Sequence, residues 1–414
     1  MTNRFPRRPG AAAIVLATTM AVLAAGCATP YREPVSDPPD AHYDGIVQIA
    51  AREPVAPGER QAALDVFIVH GMCHHDADWA LGWIDRLAHA LGAPANHLRP
   101  PDPQPPNEIK AYRAEIALGD RMLRVHALVW SGLTRPLKEQ LCYDERKKTE
   151  SCDPQTMTLA PLEYPYSRAR LNSRFKDELM NECVSDALIY QGQARGDMLR
   201  AMQGALLESR AIAAPAALRQ GLSAARASLA NEAGLVVIAS SLGSKMVFDA
   251  IIDLESRRGD DGDAGRRLHA RTRQIFLAAN QIPLLGLADQ RLPGLAGSDA
   301  PRATSDAADT PFPADPLEFL FGQRSRALFE RAANDNPGVV AFSDPNDVLS
   351  YPLRGYYRAR KVEPSYPLVD VIVSNAPTVL GLFENPARAH GGYPSNDDVL
   401  ARIACGDRGW GGCR

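Results

Sequence analysis

The stretch "LVVIASSLGSK", residues 235–245, decides how the chain folds. Its apolar first half predicts a buried strand, and the apolar spacing of residues 244–254 predicts a helix. Three serines lie between them. A serine held in a sharp strand-to-helix turn needs small residues two positions before and after it, because larger side chains there would collide. Only Ser241 meets this condition, since Ala239 and Gly243 flank it.

Apolar runs recur along the chain and alternate with amphipathic segments. The runs predict strands at 64–69, 123–130, 235–240, 273–280, 338–343 and 368–374. Apolar residues at helical spacing predict helices at 78–91, 196–232, 244–254 and 315–333. Strands that are apolar throughout and separated by helices are typical of a parallel sheet covered on both faces. The sequence therefore predicts an α/β fold.

The alternation also sets the expected domain boundaries. Residues 27–62 are rich in proline and charge, which predicts a tether containing one short strand at 46–50. Residues 63–414 form the expected domain. Within it, residues 135–185 and 290–316 interrupt the alternation and are expected insertions, of the kind that often form lids.

The segment Ala239–Gly243 resembles the GxSxG nucleophile elbow of the α/β-hydrolase family, with alanine in place of the first glycine. In that family the triad follows the chain order serine, acid, histidine. Of nine histidines, only His269 and His390 follow Ser241. His269 precedes every candidate acid. The glycines and tyrosine after His390 resemble the histidine loop of lipase-like hydrolases, so the resemblance implies His390 as the catalytic base.

The acid of such a triad is expected after the penultimate strand. Two aspartates lie there, Asp344 and Asp347. The segment that begins at Asp347, "DVLSYP", resembles the D-x-x-P turn that follows this strand in many lipases. Asp347 is therefore the preferred acid. Asp344 remains the alternative, and either residue could instead cap a turn.

A tetrahedral intermediate also needs backbone N–H donors directed at its developing charge. One donor is expected from Leu242, the residue after the nucleophile. The other is expected from Met72, because "VHGM" at 69–72 resembles the family's HG turn. His70 and Gly71 would form this supporting turn, and Gly71 would let the backbone approach closely.

The first 26 residues have the pattern of a signal peptide, with three arginines followed by 15 apolar or small residues. They end in "LAAGC", which resembles the lipobox of bacterial lipoproteins. The resemblance implies cleavage before Cys27 and acylation of that cysteine, which would tether the chain to a membrane. Ala28 implies the outer membrane, with the protein facing the periplasm. An ordinary cleaved signal and an uncleaved anchor are the alternatives.

Six further cysteines remain after Cys27. An even number in an exported protein suggests disulfides. Cys142–Cys152 and Cys405–Cys413 would each close a short loop and leave Cys73 with Cys183, although this is one of 15 connectivities that six cysteines allow.

Other functions find less support in the composition and motifs. The net charge is -3 and there is no basic run, so nothing points to nucleic acid. The stretch "CHHDAD" at 73–78 offers metal-ligand side chains, but their adjacent spacing suits zinc poorly. His74–Asp78 matches the HxxxD spacing of some acyltransferases, a pattern that is common by chance. No cofactor is expected.

These observations predict a membrane-tethered serine hydrolase that cleaves carboxylic esters, lipid esters among them. Ser241 would attack the carbonyl, His390 would transfer the proton, and Asp347 would orient the imidazole. An acyltransferase would use the same residues with an alcohol in place of water. A noncatalytic envelope scaffold on a hydrolase fold is the alternative from a different class of protein. The sequence does not indicate which proteins, if any, bind this chain.

Overall fold

The computed structural model describes residues 32–55, 62–98, 108–145, 149–152, 168–210, 233–290, 315–322, 338–379 and 382–413. In this part of the chain nine strands form a single sheet. They are β1 (Val35–Asp37), β2 (Ala62–Val69), β3 (Ala95–Leu98), β4 (Lys110–Leu118), β5 (Arg121–Val129), β6 (Gly234–Ser240), β7 (Thr272–Ala278), β8 (Gly338–Ser343) and β9 (Leu368–Ile372).

The strand order across the sheet is β1-β9-β8-β7-β6-β2-β5-β4-β3. The six strands from β9 to β5 run parallel, and β1, β3 and β4 pair antiparallel at the two edges. These six parallel strands are the six that the apolar runs predict. The α/β prediction is therefore confirmed.

Helices cover both faces of the sheet. Their bounds are α1 (Ile46–Arg52), α2 (Ala77–Ala90), α3 (Ser131–Lys138), α4 (Arg170–Arg174), α5 (Ser185–Gln191), α6 (Arg195–Arg210), α7 (Leu242–Ser256), α8 (Asp260–Arg271), α9 (Ile282–Leu285), α10 (Pro316–Phe321), α11 (Leu353–Arg360), α12 (Pro386–Gly391) and α13 (Asp397–Cys405). A π-helix, Phe175–Val184, joins α4 to α5. Among the described residues, no helix is long and apolar enough to cross a bilayer.

Two hydrophobic cores lie on opposite faces of the sheet. One contains buried side chains of α6, α7, α8, α10 and α11. The other contains those of α1, α2 and α13. Burial on both faces explains why the central strands are mainly apolar, since a strand with one solvated face would alternate apolar and polar residues.

Four elements differ from the sequence-based expectation. Residues 46–52 form α1, a helix rather than the predicted strand, because Ile46, Ile49 and Ala50 lie at helical spacing and bury one face. Residues 35–37, also assigned to the tether, form β1 on β9. The antiparallel pair β3–β4 was not predicted, because β4 mixes exposed and buried side chains.

Parts of other predictions lie outside the described residues, namely 211–232 of the long helix, 323–333 of the helix after it, and 291–314 of the second insertion. In the first insertion, residues 135–144 and 170–185 are helical, whereas 145, 149–152 and 168–169 are not. Because β2, β6, β7, β8 and β9 are parallel, their carboxyl ends meet at one edge of the sheet. The loops after these strands carry every residue of the expected triad and oxyanion turn.

The end of α1 is tied to the opposite, amino edge of the sheet by Glu53. Its buried carboxylate accepts hydrogen bonds from the Gly234 N–H (2.8 Å) and from Arg273 Nε (2.7 Å). We expect Glu53→Ala to lower the free energy of unfolding by about 2–3 kcal/mol, because both donors lose their partner. Urea denaturation measures the change. Glu363→Ala, at an exposed position, is the control and should change the free energy of unfolding by less than about 0.5 kcal/mol. Equal effects would mean that residues 46–53 do not unfold with the sheet.

Candidate active site

Ser241 lies in the turn between β6 and α7. Its backbone angles are φ 50° and ψ -128°, and a residue with a side chain in such a region costs about 1–3 kcal/mol. The surrounding structure holds it there. Its N–H donates to the Ala278 carbonyl (2.9 Å), and its own carbonyl accepts from the Ser244 N–H (3.2 Å) and hydroxyl (2.5 Å). The turn is therefore fixed on both sides of the strained residue.

The Ser241 hydroxyl is buried against the turn that follows β2. Its Oγ has no hydrogen-bond partner in the part of the chain that the structure describes. A Cβ placed on Gly71 would lie 2.5 Å from Ser241 Cβ and 3.1 Å from Oγ, so only glycine fits beside the serine. A buried, unpaired hydroxyl is uncommon and calls for a functional explanation.

Gly243 makes the reciprocal contact. A Cβ on it would lie 2.1 Å from the His70 carbonyl oxygen. The two turns thus meet backbone to backbone. Leu242 is the first residue of α7, where an N–H has no acceptor within the helix. Met72, next to Gly71, is buried beside this contact.

His70 holds the turn in place and is fully buried. Its Nδ1–H donates to the Gly71 carbonyl (2.7 Å), and its Nε2 accepts from the Trp130 N–H (2.9 Å). The imidazole also stacks on the Trp130 ring, with centroids 4.4 Å apart. Burial lowers the pKa of His70 well below its ordinary value, so the ring stays neutral, as both hydrogen bonds require.

Beyond Met72 the turn is fastened to the segment around α5. Cys73 forms a disulfide with Cys183, and its N–H donates to Asp186 Oδ2 (2.9 Å). Lys138 Nζ lies 3.2 Å from the other Asp186 oxygen. Burial raises the pKa of Asp186 and the nearby ammonium opposes that effect. The position of Asp186 behind the turn at Gly71 has no signal in the sequence.

All three predicted disulfides are present: Cys73–Cys183, Cys142–Cys152 and Cys405–Cys413. The first removes the Cys73 thiolate from the "CHHDAD" stretch. The described residues contain no group of three or more side chains that could hold a metal ion.

Asp347 and His390 meet at the same edge of the sheet. Asp347 lies in the turn after β8 and His390 in α12, after β9. His390 Nδ1 is 2.9 Å from Asp347 Oδ1 and 3.1 Å from Oδ2. The aspartate is buried, whereas the imidazole side chain is 18% exposed. His269 lies in α8 and instead contacts Glu255, with its Nδ1 2.7 Å from Glu255 Oε1.

Tyr393 supports Asp347 and was not among the predicted site residues. Its hydroxyl donates to Asp347 Oδ2 (3.0 Å) and accepts from the Asp344 N–H (2.8 Å). Burial and the Asp347 charge raise the pKa of Tyr393 well above its ordinary value, so the donor keeps its proton. The only signal in the sequence was its position shortly after His390.

Asp344, the alternative acid, has a different set of contacts. Its Oδ2 accepts from the Asn375 N–H (2.6 Å) and its Oδ1 from the Asn346 N–H (2.8 Å). Asn346 Nδ2 in turn donates to Glu384 (2.6 Å). Burial and the nearby Asp344 raise the pKa of Glu384 to about 7. This cluster joins the loop after β8 to the segment that carries His390.

The structure brings together two parts of the predicted site. One is the pair Asp347 and His390, and the other is Ser241 with the turn at Gly71. No hydrogen bond joins Ser241 Oγ to His390 among the described residues. Cys27 lies outside those residues. Comparison with family models, with curated proteins and with solved structures finds no match for this chain.

The Glu384 cluster generates a pH prediction. Between its ordinary pKa of 4.5 and about 7, the folded chain holds a proton that the unfolded chain has released. The free energy of unfolding therefore falls as pH rises through this window. Glu384→Gln keeps the side chain neutral at every pH. We expect the variant to lose less Tm than the wild type between about pH 5 and pH 8.

Thermal unfolding followed by circular dichroism at several pH values measures this difference. Glu363→Gln, on the exposed surface, is the control and should keep the wild-type profile. Parallel curves for wild type and Glu384→Gln would contradict the prediction.

Proposed function

We propose that this protein is a serine hydrolase of the α/β-hydrolase fold that cleaves carboxylic esters. The observation that carries the proposal is the conformation of Ser241, a strained residue whose buried hydroxyl is unpaired beside Gly71. Strain and an unsatisfied buried group both cost stability, and they persist where function requires them. The positions of Asp347 and His390 after later strands of the same sheet support the same reading.

The geometry at His390 suits a general base. Asp347 engages Nδ1, so the ring carries its proton there and leaves Nε2 free to accept another. His390 Nε2 would take the Ser241 hydroxyl proton as Oγ bonds to the carbonyl carbon. It would return that proton to the departing alcohol oxygen, which leaves an acyl-enzyme on Ser241. Water, activated by the same imidazole, would then release the acid and restore the serine.

Two backbone donors would stabilise the tetrahedral oxyanion. The Leu242 N–H, at the start of α7, also benefits from the positive end of the helix dipole. The Met72 N–H comes from the turn that Gly71 brings against Ser241. Such donors cost no reorganisation during the reaction when their backbone is already fixed, and the His70 contacts and the Cys73–Cys183 disulfide provide that fixation.

The location belongs to the same proposal. Acylation of Cys27 would attach the enzyme to the cell envelope, at the outer membrane facing the periplasm. Three disulfides in the fold agree with an oxidising compartment. With an alcohol replacing water, the same residues would transfer the acyl group instead. Product analysis separates the two outcomes.

Fluorophosphonate labelling of the purified full chain tests the nucleophile. A serine activated by an imidazole reacts with this probe, so we expect label on the peptide that contains Ser241. Ser241→Ala should remove the label and reduce ester hydrolysis by about 10⁴-fold or more. Mass spectrometry identifies the labelled peptide, and p-nitrophenyl esters of increasing chain length measure activity.

Ser240→Ala is the matched control, because Ser240 is the neighbouring residue at the end of β6. It should keep both the label and the activity. A folded wild-type protein that takes no label, with or without detergent, would overturn the proposal and favour the noncatalytic scaffold.

The two aspartates after β8 provide a second test. Asp347→Asn should lower kcat/KM by roughly 10³–10⁴-fold, because an amide would favour the wrong tautomer of His390. Asp344→Asn should lower Tm, since Asp344 holds two backbone N–H groups. Its kcat/KM should fall less than about tenfold. The reverse order of kcat/KM values would exclude Asp347 as the triad acid.

A further inference from the structure

We propose that an apolar rim, made of Val348, Val379, Leu382 and Phe383, docks on the bilayer that carries the Cys27 anchor. The active-site edge of the sheet then faces that membrane, and the substrate is an ester of a membrane lipid. The docking rests on the proposed acylation of Cys27, and the substrate class rests on the proposed hydrolase activity.

The rim consists of large apolar side chains exposed to solvent. Their exposed fractions are 68% for Val348, 45% for Val379, 86% for Leu382 and 60% for Phe383. Single exposed apolar residues are ordinary on protein surfaces, but a group of them indicates a contact with a protein or a membrane.

The rim residues belong to two neighbouring loops. Val379 and Phe383 pair in an antiparallel bridge after β9, in which the Val379 N–H donates to the Phe383 carbonyl (2.7 Å). Val348 lies in the turn after β8. The hydrogen bond from Asn346 to Glu384 (2.6 Å) joins the two loops within two residues of Val348 and one of Phe383.

The rim also adjoins the candidate active site. Val348 directly follows Asp347, the partner of His390. Phe383 precedes α12, the helix that carries His390. A surface that docks through this rim therefore lies beside the proposed general base.

The place where the chain enters the sheet indicates that the rim would contact a bilayer. Strand β1 pairs antiparallel with β9, so that Val35, its first residue, lies opposite Ile372, the last residue of β9. The chain therefore enters the sheet at the carboxyl edge, where the site and the rim also lie. Arg32, the first described residue, is five positions after Cys27. A segment of that length reaches at most about 18 Å.

This reach is short compared with the protein. A compact chain of 414 residues has a radius of gyration of roughly 22 Å. Lipid chains on Cys27 would thus hold the carboxyl edge near the bilayer, because the chain enters the fold at that edge. The apolar side chains of the rim, held close to the bilayer in this way, would insert into the boundary between headgroups and acyl chains.

Tryptophan fluorescence in vesicles tests the orientation without catalysis. The full chain carries Phe383→Trp or, as the control at the amino edge before β9, Val362→Trp, each with Ser241→Ala. Vesicles of phosphatidylethanolamine and phosphatidylglycerol contain a phospholipid with a nitroxide near the headgroup. We expect about twofold quenching of the added tryptophan at position 383 and little at position 362, because docked side chains enter the upper 5–10 Å of the bilayer.

Iodide quenches from the aqueous phase, so it should quench the tryptophan at 362 more strongly than the tryptophan at 383. Equal quenching at both positions by either agent would overturn the proposal. The proposal would also be overturned if burial of the tryptophan at 383 depended on protein concentration and not on lipid. That result would show that a second copy of the protein covers the rim.

A separate measurement tests the substrate class. The double variant Leu382→Ser with Phe383→Ser should lower the ratio of lipid-ester to soluble-ester hydrolysis about tenfold, because the site no longer sits at the lipid surface. Val55→Ser with Val362→Ser, two exposed residues at the amino edge, is the matched control and should keep the ratio. If the nitroxide quenches the tryptophan at 383 but the ratio of lipid-ester to soluble-ester hydrolysis does not fall, the docking proposal stands and the lipid substrate is rejected. An enzyme inactive on every ester would reject the hydrolase and leave the docking result standing.

Discussion

The candidate site depends on the close approach of two backbone turns. Ser241 lies so close to Gly71 that a Cβ on this glycine would collide with it. The His70 carbonyl lies equally close to Gly243. Glycine at both positions therefore sets the separation between the serine and the turn at Met72. A side chain at either glycine would push the turns apart, and the proposed oxyanion donors, the Leu242 and Met72 N–H groups, would lose their common target.

The two halves of the site have separate supports. A neutral buried imidazole, a disulfide and the Asp186–Lys138 pair hold the turn after β2. Tyr393 and the cluster around Asp344 hold the acid and the loop that carries His390. The sheet connects these supports. The relative position of the serine and the imidazole therefore depends on the parallel register between β6, β7, β8 and β9.

Sequence patterns predicted the elements whose signal is local. The six parallel strands each contain an apolar run that the sequence shows directly. The turn at Ser241 can be predicted from residue size at two positions. Asp347 and His390 could be chosen only through a family resemblance. By contrast, β1 owes its conformation to pairing with β9, β4 to pairing with β5, and the role of Tyr393 to a contact 46 residues away in the chain. Such contacts leave no periodic trace in the sequence.

Strand β1 also closes one edge of the sheet. Three residue pairs join it to β9, and Asp37 at its end accepts a hydrogen bond from Arg358 (2.7 Å). An uncovered β9 would present free backbone donors and acceptors to any other extended chain. The segment that leads toward Cys27 thus also shields the sheet from aggregation. A truncation from the amino end must therefore leave Val35–Asp37 in place, because a deeper cut would expose the β9 edge to pairing with another chain.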